Sequence, residues 1–154
     1  MTAGFVLGER HRRALAAAAS PPTVHESTSA GPVTASTRPL TGPSCPPETL
    51  QTSIDRGFAD DLRQVLKIYT DNGTTVWICT DAQGRFYYQS KTGGRDSPLL
   101  QDQNALFLYQ VTQLGVDDYV GVDDKGTRIE VTRKQLVVRR PTGKTQVDTV
   151  SSAE

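Results

Sequence analysis

The residues with the readiest chemistry near neutral pH are two cysteines, Cys45 and Cys79, and two histidines, His11 and His25. Both histidines lie in an N-terminal stretch whose composition argues against a rigid fold, so no fixed Ser-His-Asp or Cys-His arrangement can be built from them. Two cysteines without a nearby histidine also make a poor zinc site, and no metal or other cofactor is expected. The carboxylates come as adjacent pairs: Asp60-Asp61, Asp117-Asp118 and Asp123-Asp124. A glycosidase needs two carboxyls held across a cleft, one kept protonated in a dry pocket. These pairs fall instead at a helix end and in turns, where aspartate serves local backbone hydrogen bonds. A Ca²⁺ ion held between the Asp117-Asp118 and Asp123-Asp124 loops is conceivable, although the twelve-residue EF-hand spacing is missing. Gly143-Lys144-Thr145 resembles the end of a phosphate-binding loop, but the glycine needed five residues earlier is Val138 and a strand follows. No catalytic residue is assigned, and the chain is expected not to be an enzyme.

The cysteines carry more information as a pair. Cys79 sits in a predicted strand beside Trp77 and Ile78, and Cys45 stands just before a predicted helix. A Cys45–Cys79 disulfide would staple that helix to the sheet and would imply an oxidising compartment. The alternative is a buried free Cys79 acting as a small hydrophobe, with Cys45 incidental. The bridge is favoured, and with it a location outside the cytoplasm, in or beyond the cell envelope.

Aromatic residues supply the remaining candidate site. In the stretch from Thr75 to Lys91, Trp77, Phe86, Tyr87 and Tyr88 straddle one hairpin. Side chains alternate along a strand, so Trp77 and Cys79 share one face while Val76 and Ile78 take the other, and Tyr87 opposes Phe86 and Tyr88. Aromatics left on the solvent side can bind a sugar ring, a peptide or another protein. Trp77, Tyr87, Tyr69 and Tyr109 are the candidate surface set, against the plainer reading of cross-strand pairs that steady the sheet.

The elements that must position these groups follow from composition and period. From Met1 to Pro47 the only aromatic residue is Phe5, and Ser, Thr, Pro, Ala and Gly dominate. Such a segment buries too little apolar surface to offset its chain entropy, so residues 1–47 are expected to be a disordered tail or linker. Within it, a basic run at residues 9–13 precedes the alanine-rich residues 14–20, an order shared by export signals but too short and too alanine-rich for a typical one. No run approaches the ~20 apolar residues of a membrane helix. Residues 48–150 form the expected domain, and 151–154 a disordered end. Residues 48–154 carry thirteen basic and fifteen acidic side chains, so nucleic acid is an unsuitable partner. The nearest basic cluster, Arg133, Lys134, Arg139 and Arg140, reads as solvated strand side chains.

Pro46-Pro47-Glu48 opens a helix, and Leu50, Ile54, Phe58 and Leu62 follow at four-residue spacing, which predicts a helix over 48–62 despite Gly57. A helix continuing to Tyr69 is the alternative to a strand at 65–70. Asn72-Gly73 is a hairpin signal, and Asp81-Ala-Gln-Gly84, Asp123-Asp-Lys-Gly126 and Pro141-Thr-Gly-Lys144 separate further β-rich runs. Residues 105–112 are apolar on both faces, Leu106 and Leu108 on one and Phe107, Tyr109 and Val111 on the other, and should lie centrally. The predicted fold is mainly β, an antiparallel meander of about seven strands as a curved sheet or small barrel, with one N-terminal packing helix. Arginine outnumbers lysine twelve to five, a usage that suits a GC-rich bacterial genome. The functional expectation is a non-enzymatic binding domain on a flexible tether, engaging a protein or cell-envelope polymer. A barrel that carries a small ligand is the second reading, and an enzyme working through carboxylates alone is the third.

Overall fold

One local solution closes four of the hairpins. At Thr70–Gly73, Asp81–Gly84, Asp123–Gly126 and Arg140–Gly143 the glycine N–H donates to the carbonyl of the first residue, whose own N–H donates to the carbonyl of the residue after the glycine. The four glycines have φ of 82°, 78°, 81° and 85°, a conformation that costs glycine least. Asp81 and Asp123 add a second layer, each accepting from the backbone N–H two and four residues onward. This Asp-x-x-Gly pattern is what the sequence shows between its β-rich runs.

The computed structural model describes residues 38–154. Eight strands follow a single helix: α1 (Pro47–Asp55), β1 (Arg63–Thr70), β2 (Thr75–Thr80), β3 (Phe86–Lys91), β4 (Ala105–Gly115), β5 (Asp118–Val122), β6 (Arg128–Val131), β7 (Gln135–Arg139) and β8 (Thr145–Ala153). Every consecutive pair is antiparallel, and β1 pairs with β8, so the meander closes into a barrel. The expected mainly β meander is therefore present, with eight strands against about seven anticipated, and of the two expected forms, curved sheet or small barrel, it takes the barrel. Closure also explains why residues 151–153 belong to β8 instead of a disordered end. Ile68 and Tyr69 of β1 pair with Ala153 and Ser152.

The predicted helix over 48–62 stops early. Gly57 takes φ 77°, its N–H donates to Ile54 O, and Phe58 N–H donates to Ser53 O, the paired bonds of a Schellman stop. Phe58 and Leu62 then follow outside the helix and pack in the outer cluster, so their four-residue spacing belongs to no continuous helix, nor does a helix reach Tyr69. The face that α1 buries is Thr49 and Ser53, not Leu50 and Ile54; Leu50 is half-buried and Ile54 is 47% exposed. Small side chains let this helix lie close to the sheet. Residues 38–47 are likewise docked, not free: Cys45 N–H donates to Leu62 O, Gln64 N–H to Pro43 O, and Arg38 N–H to Ala82 O. The earlier part of the expected tail, His11 and His25 included, lies outside the described residues.

Two apolar clusters result. Inside the barrel, Leu66, Ile68, Val76, Ile78, Tyr88, Leu108, Tyr119, Ile129, Val131 and Leu136 fill the interior. Outside it, Leu62, Tyr87, Phe107 and the bridged Cys45 and Cys79 are sealed beneath α1 and Phe58. Val111 does not share a face with Phe107 as strict alternation would have it. The β3–β4 register shifts between Phe86 and Tyr88, and Val111 packs with the interior.

Gly42 is a point where close approach is required. At φ 99°, a Cβ added there would lie 2.8 Å from Gln64 O. Gly42→Ala is expected to cost about 1–2 kcal/mol from the strained backbone and the contact. A urea midpoint unchanged from wild type would show that residues 38–44 can lift away without loss.

Candidate functional site

The structure does not assemble the four candidate surface aromatics into one face. Tyr87 is only 1% exposed, its ring 5.9 Å from those of Phe58 and Phe107, so it is a core residue and not a surface one. Its register opposite Cys79 puts it on the outer wall that α1 and Phe58 cover. Its hydroxyl donates to Asp81 Oδ2 at 2.8 Å; burial first, then that bond and the carboxylate charge, push the phenol up to about 12. Tyr109 is 40% exposed but stacks on Phe58 at 4.7 Å. Tyr69 and Trp77 remain together on β1 and β2, both half-buried. Lys67 Nζ stands 4.8 Å from the Tyr69 ring and 5.9 Å from that of Trp77, and the Arg95 guanidinium covers Tyr69 at 3.8 Å. Packing and cations thus occupy most of the aromatic surface that alternation alone would leave free.

The carboxylate pairs separate as well. Asp117 precedes β5 and Asp118 opens it, while Asp123 and Asp124 follow it, five residues of extended chain or roughly 16 Å away. One Ca²⁺ ion cannot bridge them. Asp117 Oδ2 accepts from Arg133 Nε at 2.5 Å, and Asp123 is spent on its own turn. Among the described residues no three of His, Cys, Asp and Glu gather at metal-binding distance, and no helix is long and apolar enough to cross a membrane.

A site that sequence reasoning missed lies in the barrel mouth formed by the β1–β2, β3–β4, β5–β6 and β7–β8 connections. There the interior opens into a cavity of about 300 Å³. Its apolar part is Leu106, Ile129, Leu136 and Val138; its polar part is Thr74, Tyr88, Ser90, Gln146 and Asp148, with Thr92, Asp123, Thr127 and Arg140 from the connections. The strand that closes the barrel supplies the unusual feature. In the β7–β8 register Leu136 opposes Asp148 and Val138 opposes Gln146, while Val137 opposes Val147. Because facing residues share a side, Gln146 and Asp148 point into the barrel and Val147 points out, where it is 59% exposed. Over Gln146–Asp148 the pattern of β8 is thus inverted relative to an ordinary half-buried strand, whereas Val150 further along packs with the interior.

Carboxylate, amide and hydroxyl groups give this mouth both acceptors and donors. Gln146 Nε2 donates to Asp148 Oδ2 at 2.8 Å. The Tyr88 hydroxyl is pushed up to about 12, first by burial and then by the negative charge of Asp148, with Ser90 opposing both. The phenol therefore stays protonated at neutral pH and can donate. At the opposite end of the barrel a cavity of about 380 Å³ is lined by Phe86, Gln113 and Tyr119 and by Arg38–Thr41 of the docked N-terminal segment. The two ends differ accordingly: one carries a strap of chain, the other a polar-walled opening. A comparison with protein-family models, with curated proteins and with solved structures gives no match to this chain.

Proposed function

We propose that this chain is a non-enzymatic binding domain whose barrel takes a small polar molecule at the mouth lined by Tyr88, Ser90, Gln146 and Asp148. The observation that carries this reading is the inversion of β8. Pointing a carboxylate and an amide inward while a valine faces water costs stability, since each inward polar group must give up hydration without an apolar gain. A sequence built for stability alone would place Val147 inside. The cavity volume of about 300 Å³ stands at the lower end of the range of small-molecule pockets, roughly 300–1,000 Å³.

The test is a backbone-amide NMR titration of the protein with small alcohols, amines and carboxylates. Shifts are expected to concentrate at Ser90, Leu136, Val138, Gln146 and Asp148, and to vanish in Ser90→Trp, whose indole fills the mouth. Shifts confined to the outer wall, or none with any probe, would refute the reading.

A second reading rests on Tyr69 and Trp77, which share Lys67 and stand beside Arg95 on the outer wall. An aromatic pair beside Arg95 and Lys67, the latter also paired with Glu154, suits an anionic protein segment or cell-envelope polymer. Joint replacement of Tyr69 and Trp77 by alanine should then abolish retention on cell-envelope fractions. Undiminished retention would remove this reading and leave the mouth untouched.

A further inference from the structure

We infer that the molecule taken by the barrel mouth is a small organic cation, an ammonium head on an apolar body. This deepens the proposed function and rests on it. The inference comes from a donor and acceptor inventory of the mouth. Asp148 is acceptor-only when ionised, and one of its oxygens already receives the Gln146 amide. That bond commits a Gln146 N–H and leaves its carbonyl oxygen as a further acceptor. Thr74, Ser90, Thr92 and Thr127 bring hydroxyls that can serve either way, while Tyr88, the second Gln146 N–H and the exposed Arg140 can donate. With the exposed Arg140 set aside, two carboxylates and the Gln146 carbonyl leave the inner wall with negative charge and acceptor sites that a ligand carrying several donors satisfies. An ammonium group, with three N–H donors and no acceptor, is the complement of that surface.

Charge points the same way. The ionisable acids and bases of the lining are Asp123, Asp148 and Arg140, two acids and one base. Arg140 is exposed on the turn between β7 and β8, where water and salt screen it. Asp123 receives the N–H groups of Lys125 and Thr127 and keeps its negative charge, since those bonds hold its carboxyl below the usual range although burial acts to raise it. Asp148 lies inside the wall, half-buried, where reduced hydration makes its attraction for a cation stronger than at the surface. Below it Leu106, Ile129, Leu136 and Val138 offer only apolar contact, so the part of the ligand beyond its head must be hydrocarbon or aromatic. At ~30 Å³ for each water-sized group, the cavity holds a body of about ten heavy atoms.

The experiment compares hexylammonium, hexanol and hexanoate as probes of equal chain length, titrated against the isotope-labelled full chain near neutral pH. Hexylammonium is expected to bind at the mouth roughly tenfold more tightly than hexanol, with hexanoate the weakest, as a charge-assisted bond to one carboxylate would give. Asp148→Asn preserves shape and removes the charge, and should bring hexylammonium to the level of hexanol. An unchanged melting temperature would confirm that the variant is folded, and the order of the three probes on the unmodified protein tests the idea without any variant. Equal binding of all three at the mouth, or a preference for hexanoate, would overturn cation recognition while leaving a small-ligand site standing. The absence of any shift at the mouth would overturn both. Undiminished hexylammonium binding in the Asp148→Asn variant would also refute it.

Discussion

Reduction of the Cys45–Cys79 bridge is expected to lower the unfolding free energy by about 4 kcal/mol, the chain-entropy value for a sequence separation of 34 residues. For a domain of this size that is roughly 10–20 °C in melting temperature and a large part of the whole stability. The structure says where the loss falls. The bridge joins the segment before α1 to the middle of the outer wall, and Leu62, Tyr87 and Phe107 are sealed beneath the same segment. Without it, the segment from Pro43 to Leu62 is held by its backbone bonds to β1 and by Phe58, whose ring meets those of Tyr87, Phe107 and Tyr109. The outer cluster should therefore open before the barrel interior does. Denaturant unfolding with and without reductant, and of a Cys45→Ser, Cys79→Ala double variant, measures the loss. Hydrogen exchange should show α1 losing protection ahead of β5, β6 and β7. A loss below about 1 kcal/mol would mean that aromatic packing, and not the cross-link, holds this segment.

The parts of this architecture that sequence reveals are those set by local chemistry. Asp81-Ala-Gln-Gly84 and Asp123-Asp-Lys-Gly126 announce their turns because aspartate's acceptor and glycine's positive φ act within five residues. Facing was equally plain for Val76, Trp77, Ile78 and Cys79, where bulky residues on both sides left only the question of which side is inner. Sequence misplaces the helix end, because the periodicity of Leu50, Ile54, Phe58 and Leu62 outweighs the one glycine that ends it. The mouth was hidden for a different reason. In Thr145-Gln-Val-Asp148 the single apolar residue suggests Val147 inward, and only the long-range register with β7, which places Val137 opposite Val147, turns Gln146 and Asp148 to the interior. No local pattern carries that information. Tyr87 is buried where alternation alone predicts a surface residue, because the sequence does not say that the outer wall is covered; the cover comes from the segment of α1 and Phe58 upstream.

Asp81→Ala is expected to cost about 3 kcal/mol, and the same change at Asp123 about 1, although both carboxylates organise the same turn. Each accepts the backbone N–H groups two and four residues onward. Asp81 alone also accepts the buried Tyr87 hydroxyl and pairs with Arg85 Nε at 2.6 Å. Burial would raise its carboxyl, but the bonds from the Arg85 backbone, the Tyr87 hydroxyl and the Arg85 guanidinium outweigh burial and hold it below the usual range. Removing it strands a phenolic hydroxyl inside the outer cluster, and that orphan accounts for the difference between the two sites. In the Asp81→Ala background, Tyr87→Phe should then be neutral or stabilising, whereas alone it should cost about 1 kcal/mol, so a double-mutant cycle isolates the bond. The pH dependence has a definite sign. A carboxyl whose folded value is depressed contributes fully above its unfolded value of ~3.9 and loses that contribution as pH falls through the folded one. Wild type should therefore lose stability more steeply than Asp81→Ala below about pH 4, and the gap between them should narrow there. Parallel curves for the two proteins, or equal losses at Asp81 and Asp123, would show that the turn alone and not the buried Tyr87 bond accounts for what Asp81 contributes.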